Sequence, residues 1–150
     1  MPRLLGVDYG TKRIGFAVSD PFGEYAMPLR VVDVHGESDA VQQVCRVAAE
    51  TEVDGVVVGL PLNMNGTHGP MAEKVVAFAK QVAAKLNLPV HTTDERLSTS
   101  SVERSLIAAD LSREKRKGLR DKLAAQIILQ GYLDRVTAMA EAARAPEAGE

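Results

Sequence analysis

The first third of the chain alternates apolar and polar residues in short runs, which is the pattern of β-strands. The runs cover about residues 3–9, 13–19 and 24–34. Only three and four residues link them, too few for a parallel crossover, so the pattern predicts three antiparallel strands. Pro28 lies inside the third run. Because proline cannot donate a hydrogen bond to a neighbouring strand, we expect an edge or bulged strand there.

The middle of the chain alternates helices and strands. Helical spacing of apolar residues predicts helices over about residues 39–52 and 70–87. The valine-rich run 53–59 predicts a strand buried on both faces, and a short strand over 89–94 follows the second helix. This order predicts two further strands, parallel to each other. The residues expected on the buried helix faces are Val41, Val44, Cys45 and Ala48, and then Ala72, Val75, Val76, Ala79, Ala83 and Leu86.

The last third is predicted to be helical on either side of a charged segment. A helix over about residues 98–109 can be capped by a serine or threonine at its start. The polar segment 110–118 is expected to be a mobile loop, and a long helix is predicted from about 119 to 143. Residues 144–150 are small and polar, so we expect a flexible tail after one domain spanning 1–143.

Composition narrows the class of protein. Apolar residues make up 45% and charged residues 25%, both ordinary for a globular domain. Because Cys45 is the single cysteine, an intramolecular disulfide and a cysteine-based zinc site are excluded, and we expect Cys45 in the core. No apolar run approaches the length of a membrane span, and the start of the chain lacks a signal-peptide pattern. We therefore expect a cytoplasmic protein without a membrane partner.

The charge is unevenly distributed. The chain has a formal net charge of −2, but the span from Arg96 to Lys122 carries eight basic and only four acidic residues. Such a patch can hold a phosphate backbone, although a solvated charged loop accounts for it equally well.

Asp8 stands out at the end of the first predicted strand. Strand alternation puts it on the opposite face from Val7 and Tyr9, and Lys12 and Arg13 follow at once in the turn. An acidic group on a central strand beside two cations suits a metal ion and a phosphate ester. The alternative is that Asp8 only caps the turn through the local backbone.

Two further acidic positions suit the same chemistry. Asp94 and Glu95 end the last predicted strand, and sites in open α/β sheets gather at the carboxyl ends of parallel strands. One of the two must point away; we favour Glu95 as the inward one, although the reverse order stays open. Asp121 shares a helical face with Ala124 and Ile128. Burying the charge of Asp121 on this face costs free energy. A metal shared with Asp8 would offset this cost, and so would the helix N-terminus or an ion pair with a neighbouring basic residue.

Three carboxylates from separate elements can hold a pair of divalent cations, and oxygen ligands suit Mg²⁺ or Mn²⁺. Such a pair activates a water for phosphodiester hydrolysis. The candidate ligands and catalytic residues are Asp8, Glu95 and Asp121. The candidate contacts to a nucleic-acid backbone are Thr11, Lys12, Arg13, Asn63, Arg96, Arg113, Lys115, Arg116, Lys117 and Arg120.

Four strings of sequence resemble one known family. They are GVDYGTKRIG at 6–15, VGLPLN at 58–63, DERLST at 94–99 and DKLAAQIIL at 121–129. In this order and spacing they resemble the YqgF/RuvX family of pre-16S rRNA nucleases and Holliday junction resolvases, over about residues 3–135.

The resemblance implies an α/β, ribonuclease-H-like fold with a five-stranded mixed sheet flanked by helices, three strands antiparallel and then two parallel. It also implies a hydrolase that acts on RNA phosphodiesters in maturation of the 5′ end of 16S ribosomal RNA. The acids of the family fall on Asp8, Glu95 and Asp121, which favours Glu95 over Asp94. Ser98 stands where the family often has threonine, and the segment after Asp110 is unusually basic here.

Three other functions compete with a nuclease acting on precursor 16S rRNA. A resolvase of four-way DNA junctions needs the same acids and a homodimer, so monomer and homodimer both stay open. An actin-like phosphotransferase uses a similar turn, but it normally needs a second domain, for which 150 residues leave no room. A non-catalytic RNA-binding assembly factor would keep the acids without turnover.

Overall fold

The structure is a computed structural model that describes residues 2–95 and 113–144, and for 113–122 and 144 the backbone only. Within these ranges five strands and three helices follow one another along the chain. They are β1 (Leu4–Asp8), β2 (Arg13–Ser19), β3 (Ala26–Asp33), α1 (Glu37–Thr51), β4 (Gly55–Leu60), α2 (Pro70–Leu86), β5 (Val90–Asp94) and α3 (Arg113–Arg144).

The strands form one mixed sheet in the order β3-β2-β1-β4-β5. The hairpins β1–β2 and β2–β3 are antiparallel, whereas β4 runs parallel to both β1 and β5. This arrangement confirms the predicted ribonuclease-H-like sheet. It also puts β1 at the centre, where the carboxyl end of β1 lies beside that of β4.

The edge position of β3 follows from its proline, as predicted. Phe16 pairs with Arg30 and Ala17 pairs with Pro28, so Leu29 is an extra residue that forms a β-bulge. The strand begins at Ala26, two residues later than predicted, because the carboxylate of Asp20 accepts the amide hydrogens of the two preceding residues in a turn.

Helices cover both faces of the sheet. On one face, α1 and α2 pack against alternate residues of β1, β2 and β4. The predicted faces of these helices are largely confirmed, but Val47, Phe78 and Val82 are buried as well, while Cys45 and Val76 are only partly buried. On the other face, α3 covers a smaller apolar cluster, made of Ala17, Ala26, Val57, Ala125, Ile128, Leu129 and Leu133.

The helix α3 approaches the central strand more closely than a side chain there would allow. A Cβ atom built on Gly6 would lie 2.7 Å from Cβ of Leu129 and 3.0 Å from the carbonyl oxygen of Ala125. Gly6 therefore sets the distance between the sheet and α3.

One prediction for the charged segment is wrong in the part that the structure describes. Residues 113–118 were expected in a loop, but α3 already begins at Arg113. Arginine, lysine and glutamate favour helices, so the charged composition does not interrupt the helix. The predicted helix over 98–109 lies outside the described residues.

No helix in the described ranges is both long enough and apolar enough to cross a membrane.

The close approach at Gly6 predicts a stability effect. Gly6→Ala should lower the free energy of unfolding by about 1–3 kcal/mol, because the new methyl group overlaps Leu129 and α3 must shift away from the sheet. Urea denaturation measures the loss. Gly55→Ala is the matched control and should cost less, since its Cβ would meet the flexible end of Leu4 at 3.1 Å and the carbonyl oxygen of Pro89 at 3.3 Å, both longer than the contact with Leu129 at Gly6. Equal losses in the two variants would contradict the tight contact at Gly6.

Candidate active site

Asp8 is the last residue of the central strand, and strand alternation gives it the same face as Gly6, the face that α3 covers. On one side its neighbour across the sheet is Gly15, and the next neighbour is Val31 on the edge strand. The glycine leaves the backbone bare beside the carboxylate. A cavity of about 280 Å³ opens here, lined by Asp8, Gly10, Thr11, Lys12, Arg13, Gly15 and Val31.

Glu95 follows β5 and lies over a second bare stretch of backbone, at Gly59. A Cβ atom at Gly59 would collide with a carboxylate oxygen of Glu95, and it would lie 2.5 Å from Cδ1 of Ile128. Gly59 directly follows Val58, which pairs with Val7, so it lies level with Asp8. The glycine thus makes room for the Glu95 carboxylate between the sheet and α3.

Sequence reasoning missed the part that Gly59 plays. The available signal was a glycine directly after the three valines of a buried strand, where it costs strand stability. Such a residue often marks a position at which another group approaches the backbone closely.

The electrostatics of the site centre on Glu95. Burial raises the pKa of its carboxyl, and the negative charges of Asp8 and Asp94 raise it further, from an ordinary value of 4.5 to about 7. Carboxylates that repel one another in a partly desolvated place are stabilised by a cation. Asp8 and Glu95 are therefore the described residues that could contribute carboxylate ligands to a divalent cation at this place.

A buried hydroxyl lies close to the carboxylates. Thr93 pairs with Gly59 and is only 6% exposed, yet its Oγ1 has no hydrogen-bond partner among the residues that the structure describes. Alternation along β5 puts Thr93 and Glu95 on the same face. An orphaned hydroxyl of this kind fits a site that also holds water or a ligand.

The structure brings together two of the three predicted acids. Asp8 and Glu95 interact, whereas Asp121 lies in α3, one turn before Ala125, and its side chain is not described. In the described part of the chain no group of three acidic, histidine or cysteine side chains could hold a metal. A site built from Asp8, Glu95 and Asp121 stays a prediction. The structure adds that α3, which contains Asp121, covers the face of the sheet on which Asp8 and Glu95 lie.

The predicted nucleic-acid contacts differ in their placement. Thr11, Lys12 and Arg13 are exposed and line the cavity beside Asp8. Asn63 is engaged in its own loop, where its amide nitrogen donates to the hydroxyl of Thr67 at 3.0 Å. Arg96 lies outside the described residues. The others lie along the first turns of α3, with only their backbone described, namely Arg113, Lys115, Arg116, Lys117 and Arg120.

The coupling between the two acids predicts a titration. In the metal-free protein, Asp8→Asn should lower the pKa of Glu95 from about 7 towards 4.5, because a repelling charge is removed while burial stays. Carbon-detected NMR of the glutamate carboxyls over pH 4 to 9 measures this. Glu24→Gln is the control, since Glu24 is exposed and lies in the β2–β3 turn.

The same coupling affects stability. A raised folded-state pKa gives stability that is fully present below about pH 4.5 and lost as the pH rises through 7. The Asp8→Asn protein should therefore lose less stability over this range, with a gain of about 1 kcal/mol at pH 8 over the unchanged protein. An unaltered pKa of Glu95 in this variant would show that the two carboxyls do not interact.

Comparison with known proteins gives the same family that the sequence resembles. A family model described as "RuvX: Holliday junction resolvase" matches residues 2–135. A protein of Desulforamulus reducens named "Putative pre-16S rRNA nuclease" is 48% identical over 132 residues, which cover 88% of this chain and 96% of that protein. The protein of the same name from Clostridioides difficile strain 630 is also 48% identical, over 88% of this chain and 94% of its own.

Solved structures show the same fold at low identity. RuvC of Thermus thermophilus superposes with a TM-score of 0.53 and 18% identity, over 91% of this chain and 96% of that one. The Holliday junction resolvase of fowlpox virus gives a TM-score of 0.53 at 14% identity, covering 89% and 99%. Because the family model matches nearly the whole chain and the named relatives approach half identity, this chain belongs to the RuvX family of nucleases.

Proposed function

We propose that the protein is a metal-dependent nuclease that hydrolyses phosphodiester bonds of precursor 16S rRNA during maturation of its 5′ end. The observation that carries the proposal is the crowding of Asp8 and Glu95 between two bare stretches of backbone, at Gly15 and Gly59. Carboxylates placed in this way offer oxygen ligands to Mg²⁺ or Mn²⁺, and Asp121 would be the third ligand. Bound divalent cations would supply an activated water and stabilise the leaving oxygen.

The residues around these acids suit a phosphate backbone. Lys12 and Arg13 line the cavity next to Asp8, and within residues 2–95 and the described part of α3 no carboxylate forms an ion pair with either. Their charges can therefore neutralise phosphates on both sides of the bond that is cleaved. Gly15 has no side chain to fill the cavity, so the RNA backbone can approach Asp8.

The substrate class follows from two kinds of support. The named relatives are called pre-16S rRNA nucleases, which favours RNA. The basic segment from Arg113 to Arg120 belongs to the helix α3, and a cluster of lysine and arginine in the sequence is typical of a contact to a phosphate backbone. RNA is therefore the partner that we propose first.

The decisive experiment removes one predicted ligand at a time. Asp8→Asn and Asp121→Asn should each lower the rate of cleavage of a precursor 16S rRNA fragment at least about 100-fold, because metal binding needs both carboxylates. RNA binding and a cooperative thermal unfolding transition should be retained in both variants. Gel analysis of end-labelled RNA with Mg²⁺ or Mn²⁺ measures the rates, and Glu24→Gln should cleave as the unchanged protein does.

Cleavage that survives in Asp8→Asn would overturn the assignment of the site. If a highly purified protein binds the RNA but never cleaves it, the result would support the alternative function, a non-catalytic RNA-binding assembly factor.

A junction resolvase is the second candidate, because the matching family model carries that description and the fold is shared with RuvC. This function needs two sites on a dimer, one for each of two symmetric strands. A four-way DNA junction therefore belongs in the same assay, with sedimentation of the complex. Paired symmetric cuts by a dimer would favour the resolvase, and cleavage of the rRNA fragment alone would exclude it.

The cations at the β1–β2 turn predict a salt dependence. Replacing Lys12 and Arg13 together by alanine should weaken RNA binding at low salt and reduce the slope of log K against log salt by roughly 1–2, since two phosphate contacts are lost. Fluorescence anisotropy from 50 to 300 mM KCl measures it. Arg46→Ala with Lys80→Ala is the matched control with the same change of charge on α1 and α2. Identical slopes for the two double variants would contradict a contact at the turn.

A further inference from the structure

A second cavity lies next to the one beside Asp8. It has a volume of about 220 Å³ and is lined by Tyr9, Gly10, Thr11, Gly36, Glu37 and Lys74. Both cavities include Gly10 and Thr11, so they meet at the β1–β2 turn. The second one lies at the starts of α1 and α2, and none of the predicted acids lines it.

One wall of the second cavity is a fixed aromatic ring. The ring of Tyr9 packs against that of Phe78, with centroids 4.4 Å apart, and Phe78 is fully buried. This packing holds the ring in place at the wall of the cavity.

The opposite charges in the cavity are held on separate elements. Glu37 begins α1, and its Oε1 accepts a hydrogen bond of 2.9 Å from Nε2 of Gln81 on α2, which fixes the position of the carboxylate. Lys74 is exposed in α2, and it forms no ion pair with any carboxylate in the described ranges. A cation, an anchored carboxylate and the hydroxyl of Thr11 thus surround one small space.

This set of groups matches one nucleotide unit. An ammonium and a hydroxyl are typical partners of a phosphate, and a carboxylate accepts hydrogen bonds from a sugar hydroxyl. At about 220 Å³ the cavity falls below the usual range for drug-sized ligands, roughly 300–1,000 Å³, so it suits a single unit rather than a larger molecule.

We propose that this cavity is a second subsite, which binds the ribonucleotide adjacent to the one at Asp8 and Glu95. Lys74 and Thr11 hold its phosphate, and Glu37 accepts a hydrogen bond from its 2′-hydroxyl. The bound RNA strand crosses the β1–β2 turn between the two cavities. The inference rests on the proposed nuclease function, and it predicts that RNA is bound better than DNA, since only RNA carries the hydroxyl.

The experiment measures binding apart from cleavage. In an Asp8→Asn background without divalent metal, anisotropy gives the Kd of an eight-nucleotide RNA and of the DNA of the same sequence. Lys74→Ala should weaken RNA binding about tenfold, because a phosphate contact is lost. The matched control is Lys80→Ala, six positions further along α2 and outside the cavity, which should change the Kd less than twofold. Thermal melting checks that both variants fold.

A second variant tests the role of the carboxylate. Glu37→Ala should reduce the preference for RNA over DNA several-fold, since the acceptor for the 2′-hydroxyl is removed while Lys74 stays. Equal effects of Lys74→Ala and Lys80→Ala, or an unchanged RNA-to-DNA ratio in Glu37→Ala, would overturn the subsite. An effect of Lys74→Ala on AMP binding but not on the oligonucleotide would also overturn it, in favour of a site for free nucleotides.

The two proposals can fail separately. Absence of cleavage in the protein with Asp8 intact, together with binding that depends on Lys74, would reject the nuclease and keep a nucleotide site. Cleavage that is indifferent to Lys74 and Glu37 would keep the nuclease and reject the subsite.

Discussion

The repulsion between Asp8 and Glu95 is the constraint on which the rest of the site depends. Two carboxyls that are separated in sequence meet on one face of the sheet, and burial, followed by the charges of Asp8 and Asp94, raises the cost of charging Glu95. A fold tolerates such a cost when a ligand repays it, and divalent cations do so for acidic clusters. The contribution of this carboxyl pair to stability is therefore smaller at neutral pH than in acid, because Glu95 must be charged in a buried place.

Two glycines make room for the acids to lie close together. Gly6 lets α3 lie close to the central strand, and Gly59 leaves the space that the Glu95 carboxylate fills beside Ile128. The same helix therefore packs on the apolar cluster and, through Ile128, reaches the place at Gly59 where the Glu95 carboxylate lies. Movement of α3 would change the position of Ile128 and, with it, the wall against which Glu95 rests.

Most of the fold could be predicted from the sequence, since alternation, helical spacing and short links are local signals. They predicted the five strands, the antiparallel course of the first three, the parallel course of the last two, and an edge or bulged strand at Pro28. The start of α3 was misplaced because a run of charges resembles a loop in composition, whereas its residues favour a helix. The contact of Glu95 with Gly59 could not be predicted, because it depends on the distance between the sheet and α3, which is set at a different residue, Gly6.

The tie between the β1–β2 turn and the end of β3 has a consequence for insertions and deletions. The amide of Val34 donates to the carbonyl oxygen of Lys12 at 2.9 Å, and so anchors the turn from outside. A Cβ at Gly10 would lie 2.5 Å from the carbonyl oxygen of Arg13, so the turn is also closed tightly within itself. Replacement of Gly10 and a change in the length of the turn should therefore both distort the two cavities that meet there.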